Sequence, residues 1–256
     1  MFSRLFGSKK KDSEKANYNL PADANWSFLG MDMHSHMIPG IDDGAQTIDD
    51  SVALIQQFQA MGFQGIVTTP HIKSDYFPND PAIINNGLNE LRHGLAERGI
   101  NFPVKAAAEY FVDERFMEML EAAPLLTINK NEVLIEFSFV FEPIRLSDIL
   151  FKIQTKGYKP VIAHPERYNY YHQKFEAFKQ LKDRGCLLQL NVIALTGYYG
   201  KPVKDVAERL LNEGLYDYCG SDMHHVRHAE AMQKLTQMKV FGQLYNYPFL
   251  NRNMIF

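Results

Sequence analysis

From Trp26 onward, short apolar runs alternate with longer stretches in which apolar residues recur every three or four positions. Seven runs read as strands: FLGMDMH, GIVTTPH, VKAAAEY, EVLIEF, KPVIAHP, CLLQLN and YDYCGSD. Helical periodicity lies between most of them, over 47–61, 82–98, 147–156, 174–184 and 203–212, with a last helix near 229–238. Thr47 and Asp50 are spaced as a capping pair for the first. Strand–helix alternation predicts a parallel α/β architecture. About seven βα units point to a barrel, with an open sheet as the alternative. No linker, low-complexity tract or repeat divides 26–256, which reads as one domain.

Composition changes this picture little. The chain has 256 residues, 46% hydrophobic and 22% charged, enough for a substantial core without staples. A net charge of −3 and a pI near 6.3 imply no broad basic face for nucleic acid. Cys186 and Cys219 sit in apolar runs and read as buried, reduced thiols, which suits a cytoplasmic setting. No apolar run approaches the ~18 residues that span a bilayer, so no stable membrane insertion is expected. Residues 1–25 read as a flexible basic tail. Arg4, Lys9, Lys10 and Lys11 there, beside Phe2, Leu5 and Phe6, suit at most a weak contact with an anionic membrane face.

The polar residues carry the chemistry. His34 and His36, His71, Glu109, Glu136, His164 and Asp222 each lie at or just past the end of an apolar run. In a βα barrel those ends meet at one mouth, where active sites form. His34 and His36 are two apart on a strand and share a face; Asp222 and His224 repeat the spacing. Alone, H-x-H is common on surfaces. Glu109 and Glu136 stand in apolar context, where an ionised carboxylate needs a cation or several hydrogen bonds. Asp43, in GIDDGA, is favoured as a further ligand, with Asp42 behind it, although Asp-Gly also suits a plain turn. Five imidazoles and four carboxylates are too many for one ion and suit two or three divalent metals, a cluster that hydrolyses phosphate esters. His93 and His172 read as ordinary residues, and His225 and His228 as spare surface histidines.

The strings DMHSHMIPGIDDGAQT, TPH, AAEYF, LIEFS, AHPERY and GSDMHH together resemble the PHP (polymerase and histidinol phosphatase) superfamily. Within it they are most similar to the bacterial protein-tyrosine phosphatases of capsule and exopolysaccharide operons, over residues 29 to about 227. The resemblance implies a distorted (β/α)7 barrel with its metal site at the C-terminal strand ends. It implies two or three divalent ions, manganese first, with iron, zinc, cobalt or magnesium as alternatives. Carried over by position, His34, His36, Glu109 and Asp222 form one ligand set. Glu109, Glu136 and His164 form a second, with Glu109 bridging, and Asp43, His71 and His224 a third. Arg167, Asp222 and His224 are then the catalytic residues, with Arg167 and Arg227 binding substrate; Arg227 follows Asp222 at a shorter spacing than the family's second arginine. The implied substrate is a phosphotyrosine protein, a membrane-associated bacterial tyrosine kinase, which would hold the enzyme at the inner membrane face.

Three divalent ions against four carboxylates leave two positive charges, a match for a phosphate dianion. Such ions would lower the pKa of a bridging water to give a hydroxide nucleophile. A tyrosyl leaving group, with a pKa of about 10, needs little acid assistance. A thiolate phosphatase needs an arginine six positions after its cysteine, but Val192 and His225 occupy those places. The rival readings are a histidinol-phosphate or nucleic-acid phosphoesterase of the same superfamily, and a non-catalytic, metal-stabilised interaction module. Tyr76, Phe77, Tyr110, Phe111, Phe139, Phe141, Tyr168, Tyr170 and Tyr171 would line a substrate groove, or simply pack.

Overall fold

A computed structural model describes residues 20–254. Its order is β1 (Met31–Asp32), α1 (Ile48–Ala60), β2 (Gly65–Thr68), β3 (His71–Ile72), α2 (Pro81–Glu97), β4 (Val104–Ala106), β5 (Glu109–Phe111), α3 (Glu114–Ala122) and β6 (Glu132–Glu136). There follow α4 (Leu146–Thr155), β7 (Lys159–Ile162), α5 (Asn169–His172), α6 (Glu176–Asp183), β8 (Leu187–Asn191), α7 (Lys201–Asn212), β9 (Tyr218–Gly220), α8 (Val226–Leu235) and α9 (Val240–Asn246). The Thr47–Asp50 capping box starts α1 as expected. Asp113 caps α3, which the sequence reading did not contain, and α9 was likewise missed.

All strand pairings are parallel, in the orders β1-β2-β4 and β3-β5-β6-β7-β8-β9. Two of the seven expected strands are broken. GIVTTPH splits into β2 and β3 at Pro70, which has no N–H for the ladder. VKAAAEY splits into β4 and β5 across Ala107 and Ala108. Single bonds carry the pairing through the breaks: Ala107 N donates to Thr68 O (2.8 Å) and Glu109 N to Pro70 O (3.1 Å). A parallel bridge between Ser35 and Met223 joins the two ends, so seven strand positions close into a distorted barrel.

The core has two parts. A large outer cluster lies between strands and helices, and a small inner one contains Met31, Met33, Val67, Ala107, Leu134, Val161, Leu187 and Tyr218. Side chains two residues apart share a strand face. Two positions beyond Ala107, Leu134 and Leu187 stand Glu109, Glu136 and Gln189, all buried. An apolar plug thus fills the barrel beneath a polar mouth. Of the tail read as 1–25, residues 1–19, with every lysine and the apolar residues of the membrane reading, lie outside the described residues. Leu20 and Ala24 pack on the outer core and Asn25 caps a helical turn, so the packed chain begins before Trp26.

Candidate metal centre

The closing seam of the barrel brings four of the nine residues together. Ser35 and Met223 are bridge partners, so His34 and His36 flank one side and Asp222 and His224 the other. Asp222 N donates to His34 O (2.8 Å) and His36 N to Met223 O (2.9 Å). Gly220 permits this approach, because a Cβ there would stand 2.7 Å from His34 Cβ. A Cβ on Gly44 would stand 2.2 Å from His36 O, so the DDG turn must also end in glycine. His164 and Asp222 adopt left-handed backbone (φ 33° and 50°), a cost of about 1–3 kcal/mol each that clusters at functional sites.

Second partners fix the imidazole tautomers. His34 Nδ1 donates to Gln189 Oε1 (2.9 Å), His36 Nδ1 to Asp42 Oδ2 (2.7 Å) and His224 Nδ1 to Asp222 O (2.8 Å). In each neutral ring the lone pair is then on Nε2. Yet the Nε2 atoms of His34 and His36 face each other at 3.3 Å, and each lies 3.3 Å from Asp222 Oδ1. Glu109 Oε2 is 3.2 Å from His34 Nε2 and 3.0 Å from His71 Nδ1, without hydrogen-bond geometry to either ring. Donor atoms 2.0–2.2 Å from one divalent ion are separated by roughly 3–3.5 Å, the spacing seen here. The residues therefore fit a metal cluster, and one divalent ion satisfies lone pairs that protons cannot all serve.

Three groups of donor atoms converge. His34, His36, Glu109 and Asp222 form the first, and it is wholly buried. His36, Asp43, His71 and His224 form the second, at the rim, where the Asp43 side chain is 58% exposed. His71, Glu109 and Glu136 form the third. His164 adjoins it, with Nε2 3.0 Å from Glu109 Oε1 and 3.6 Å from Glu136 Oε1. All nine residues predicted as ligands are gathered at one mouth, though His36 and His71 each reach two groups where the resemblance placed each in one.

The charges make the same demand. Burial pulls the His34 pKa down, but Glu109 and Asp222 outweigh it and set it at about 10, so without a cation the ring takes a second proton on Nε2, the position a divalent ion would occupy instead. Burial pushes the Glu109 carboxyl up, and His34 and His71 override it and hold it well below the carboxylate range. Burial and the neighbouring Glu109 push Glu136 up to about 7. Burial and Arg167 pull His164 down to about 4. A pocket with this much carboxylate calls for positive charge beyond one guanidinium.

Above the cluster a cavity of about 340 Å³ is lined by Lys73, Phe77, Phe139, Arg167, Tyr199 and the rim histidines. A 3-10 turn over Pro165–Arg167 delivers Arg167, whose Nη1 donates to Asp222 Oδ2 (3.0 Å). Its guanidinium lies 4.4 Å from the ring centroids of both Phe139 and Tyr199. Asn191 Nδ2 also donates to Asp222 Oδ2 (2.8 Å), leaving Oδ1 to face the histidines. Arg227 is not brought to the site: it is exposed in the first turn of α8, away from the cavity lining. His228, read from sequence as a spare surface histidine, is buried and lines the cavity, as does His225. Of the aromatic residues, Phe77 and Phe139 reach the cavity, whereas Tyr110 and Tyr168 are core. Sequence reading missed Gln189, Asn191, Lys73 and Tyr199. The one available signal was a polar pair, Gln189 and Asn191, inside an apolar strand.

Residues 30–250 match the family described as Capsular polysaccharide synthesis, CpsB/CapC. Tyrosine-protein phosphatase YwqE of Bacillus subtilis is 30% identical over 198 residues, 77% of this chain and 78% of its own. The Putative tyrosine-protein phosphatase CapC of Staphylococcus aureus is 27% identical over 205 residues, 80% of each chain. Tyrosine-protein phosphatase CpsB of Streptococcus agalactiae is 29% identical over 202 residues, 77% of this chain and 83% of its own. A crystal structure described under YwqE from B. subtilis and CpsB from Streptococcus pneumoniae as "unique metal-dependent tyrosine phosphatases" superposes with a TM-score of 0.75 at 29% identity. It covers 88% of this chain and 95% of that one. On the extent of these matches, the chain belongs to the CpsB/CapC capsular polysaccharide synthesis family.

Proposed function

We propose that the chain is a metal-dependent protein-tyrosine phosphatase, a phosphoric monoester hydrolase acting at the barrel mouth. The observation that carries this is the facing pair of His34 and His36 Nε2 atoms, each with its Nδ1 already donating, beneath a cavity that also holds Arg167. The metal-dependent tyrosine phosphatase structure that superposes on it supports the same reading.

His34, His36, Asp43, His71, Glu109, Glu136, His164, Asp222 and His224 would hold two or three divalent ions, manganese first. When bound, these ions supply Lewis acidity and acidify water to provide the nucleophile. The chain's own residues do the rest. Asp42 and Gln189 hold His36 and His34 in the tautomers that leave Nε2 free. Asp222 and the flanking Phe139 and Tyr199 rings orient Arg167. One nitrogen of its fork goes to Asp222, and the remaining donors serve the phosphate oxygens as charge grows on them. Phe77 and Phe139 exclude water from beside an aryl ring. No general acid is assigned, because a tyrosyl oxygen leaves readily.

The physiological substrate in this reading is a phosphotyrosine on a membrane-associated bacterial tyrosine kinase, placing the enzyme in the cytoplasm near the inner membrane face. Among the described residues no helix is long and apolar enough to cross a membrane. Purified protein stripped with chelator and then titrated with manganese tests the reading. Hydrolysis should appear only with metal and favour phosphotyrosine peptide over histidinol phosphate and oligonucleotide. Metal-independent turnover, or preference for either rival, would refute it.

A further inference from the structure

The metal cavity has a neighbour. A groove of about 410 Å³ runs from Lys73 over Phe111 to Phe141 and Ile144. Lys73 lines both the groove and the metal cavity, so the two adjoin at its side chain. The Lys73 ammonium lies 4.2 Å from the centroid of the Phe111 ring and 4.8 Å from that of Tyr76. On the far side, in the segment between β6 and α4, Phe141 is 62% and Ile144 84% exposed. Large apolar side chains this exposed and this close together mark a contact surface. Nothing in the described fold covers them.

We propose that this groove binds the substrate polypeptide beside its phosphotyrosine and selects an apolar side chain there. The proposal rests on the phosphatase reading above. A phosphotyrosine seated in the cavity leaves its own backbone at the rim, where Lys73 marks the shared wall. The neighbouring residues of the same polypeptide must then pass over one side of the mouth, and the groove offers them Phe111, Phe141 and Ile144 as apolar contacts, with Asp75, Asp113 and Glu114 also in its lining. A free small phosphate ester reaches only the cavity.

The test uses the full chain with manganese and three substrates: p-nitrophenyl phosphate, a phosphotyrosine peptide with leucine flanks, and the same peptide with serine flanks. The leucine peptide should be preferred about tenfold in kcat/KM, carried by KM, since burying one side chain in an open groove is worth on the order of 1.4 kcal/mol. Phe141→Ser with Ile144→Ser should erase that preference and leave p-nitrophenyl phosphate hydrolysis unchanged. Phe151→Ser removes an exposed apolar side chain outside the groove lining and should change neither. Equal rates on the two peptides, or a preference that survives the double substitution, would overturn the groove while leaving the phosphatase standing. Failure to hydrolyse p-nitrophenyl phosphate with metal would overturn the phosphatase reading and the groove with it.

Discussion

Asp42→Asn tests how the metal centre is built while leaving every proposed ligand in place. Asp42 is buried, and both its oxygens are used. Oδ2 accepts from His36 Nδ1 (2.7 Å) and from the His71 backbone N–H (3.1 Å), and Oδ1 from Gly44 N–H (3.0 Å). Burial pushes its pKa up, but His36 overrides this and holds it at about 2, so the group is a carboxylate at any working pH. Asparagine keeps the shape but has only one acceptor. Turned toward His36, it replaces a charge-assisted bond with a neutral one, at about 1 kcal/mol, and leaves Gly44 N–H facing an amide donor, at about 1–3 kcal/mol. His36 reaches two of the three donor groups, so part of that cost falls on metal binding. Partners behind a metal ligand are typically worth 10–100-fold in affinity, about 1.4–2.7 kcal/mol. Manganese titration of the stripped variant, followed by p-nitrophenyl phosphate hydrolysis, should show half-maximal activity shifted upward by that factor. The rate at saturating metal should fall much less. A variant with wild-type manganese dependence would refute the role given to Asp42 and the tautomer argument with it.

Arg167→Lys should keep its metal content, read by mass spectrometry, while kcat/KM falls about 100-fold, because a point charge cannot replace the fork held by Asp222, Phe139 and Tyr199. Burial pushes the Glu166 carboxyl up to about 7, despite bonds from Asn191 N–H and Tyr216 Oη. Its folded form therefore binds its proton more tightly than the unfolded chain does. Stability from this group is full below the ordinary carboxylate pKa and is lost as pH rises to about 7, on the order of 3 kcal/mol. Denaturant melts at pH 5.5 and 8 should show about 2 kcal/mol of that loss, the part that falls above pH 5.5, and Glu166→Gln should flatten it. Burial pushes the Cys186 thiol up to about 12 and Cys219 well above its usual value, so alkylating reagents should leave activity intact where a chelator abolishes it. Asp43 is the most exposed of the nine residues, and the ion it helps hold should leave first in a timed chelation, before the ion of the buried group.

Much of this was legible from residue order alone. The nine polar positions stood out because strand ends in apolar runs do not carry Asp, Glu or His without a partner. The barrel followed from their recurrence at those ends. The breaks in the second and third strands were less accessible: Pro70 was visible, but its effect depends on pairing with Ala107 and Glu109, which lies in space and not in local sequence. α3 was missed although Asp113 was a plain capping residue and Phe116 and Leu120 stand at helical spacing, because its nine residues hold little more than one repeat of that spacing. Gln189 and Asn191 were hidden for a different reason: a strand residue that orients a ligand looks like one that packs until the ligand is beside it. Arg227 shows the converse error. Its nearness to Asp222 in sequence suggested the site, but the first turn of α8 directs it to solvent.

Catalysis at the barrel mouth depends on the nine residues holding a cluster of divalent ions. Crystals of the metal-loaded protein, with anomalous scattering recorded across the manganese edge, test it directly. Two or three peaks are expected among His34, His36, Asp43, His71, Glu109, Glu136, His164, Asp222 and His224, with one bounded by the Nε2 atoms of His34 and His36. Fewer than two peaks there, from protein active on phosphotyrosine, would contradict it.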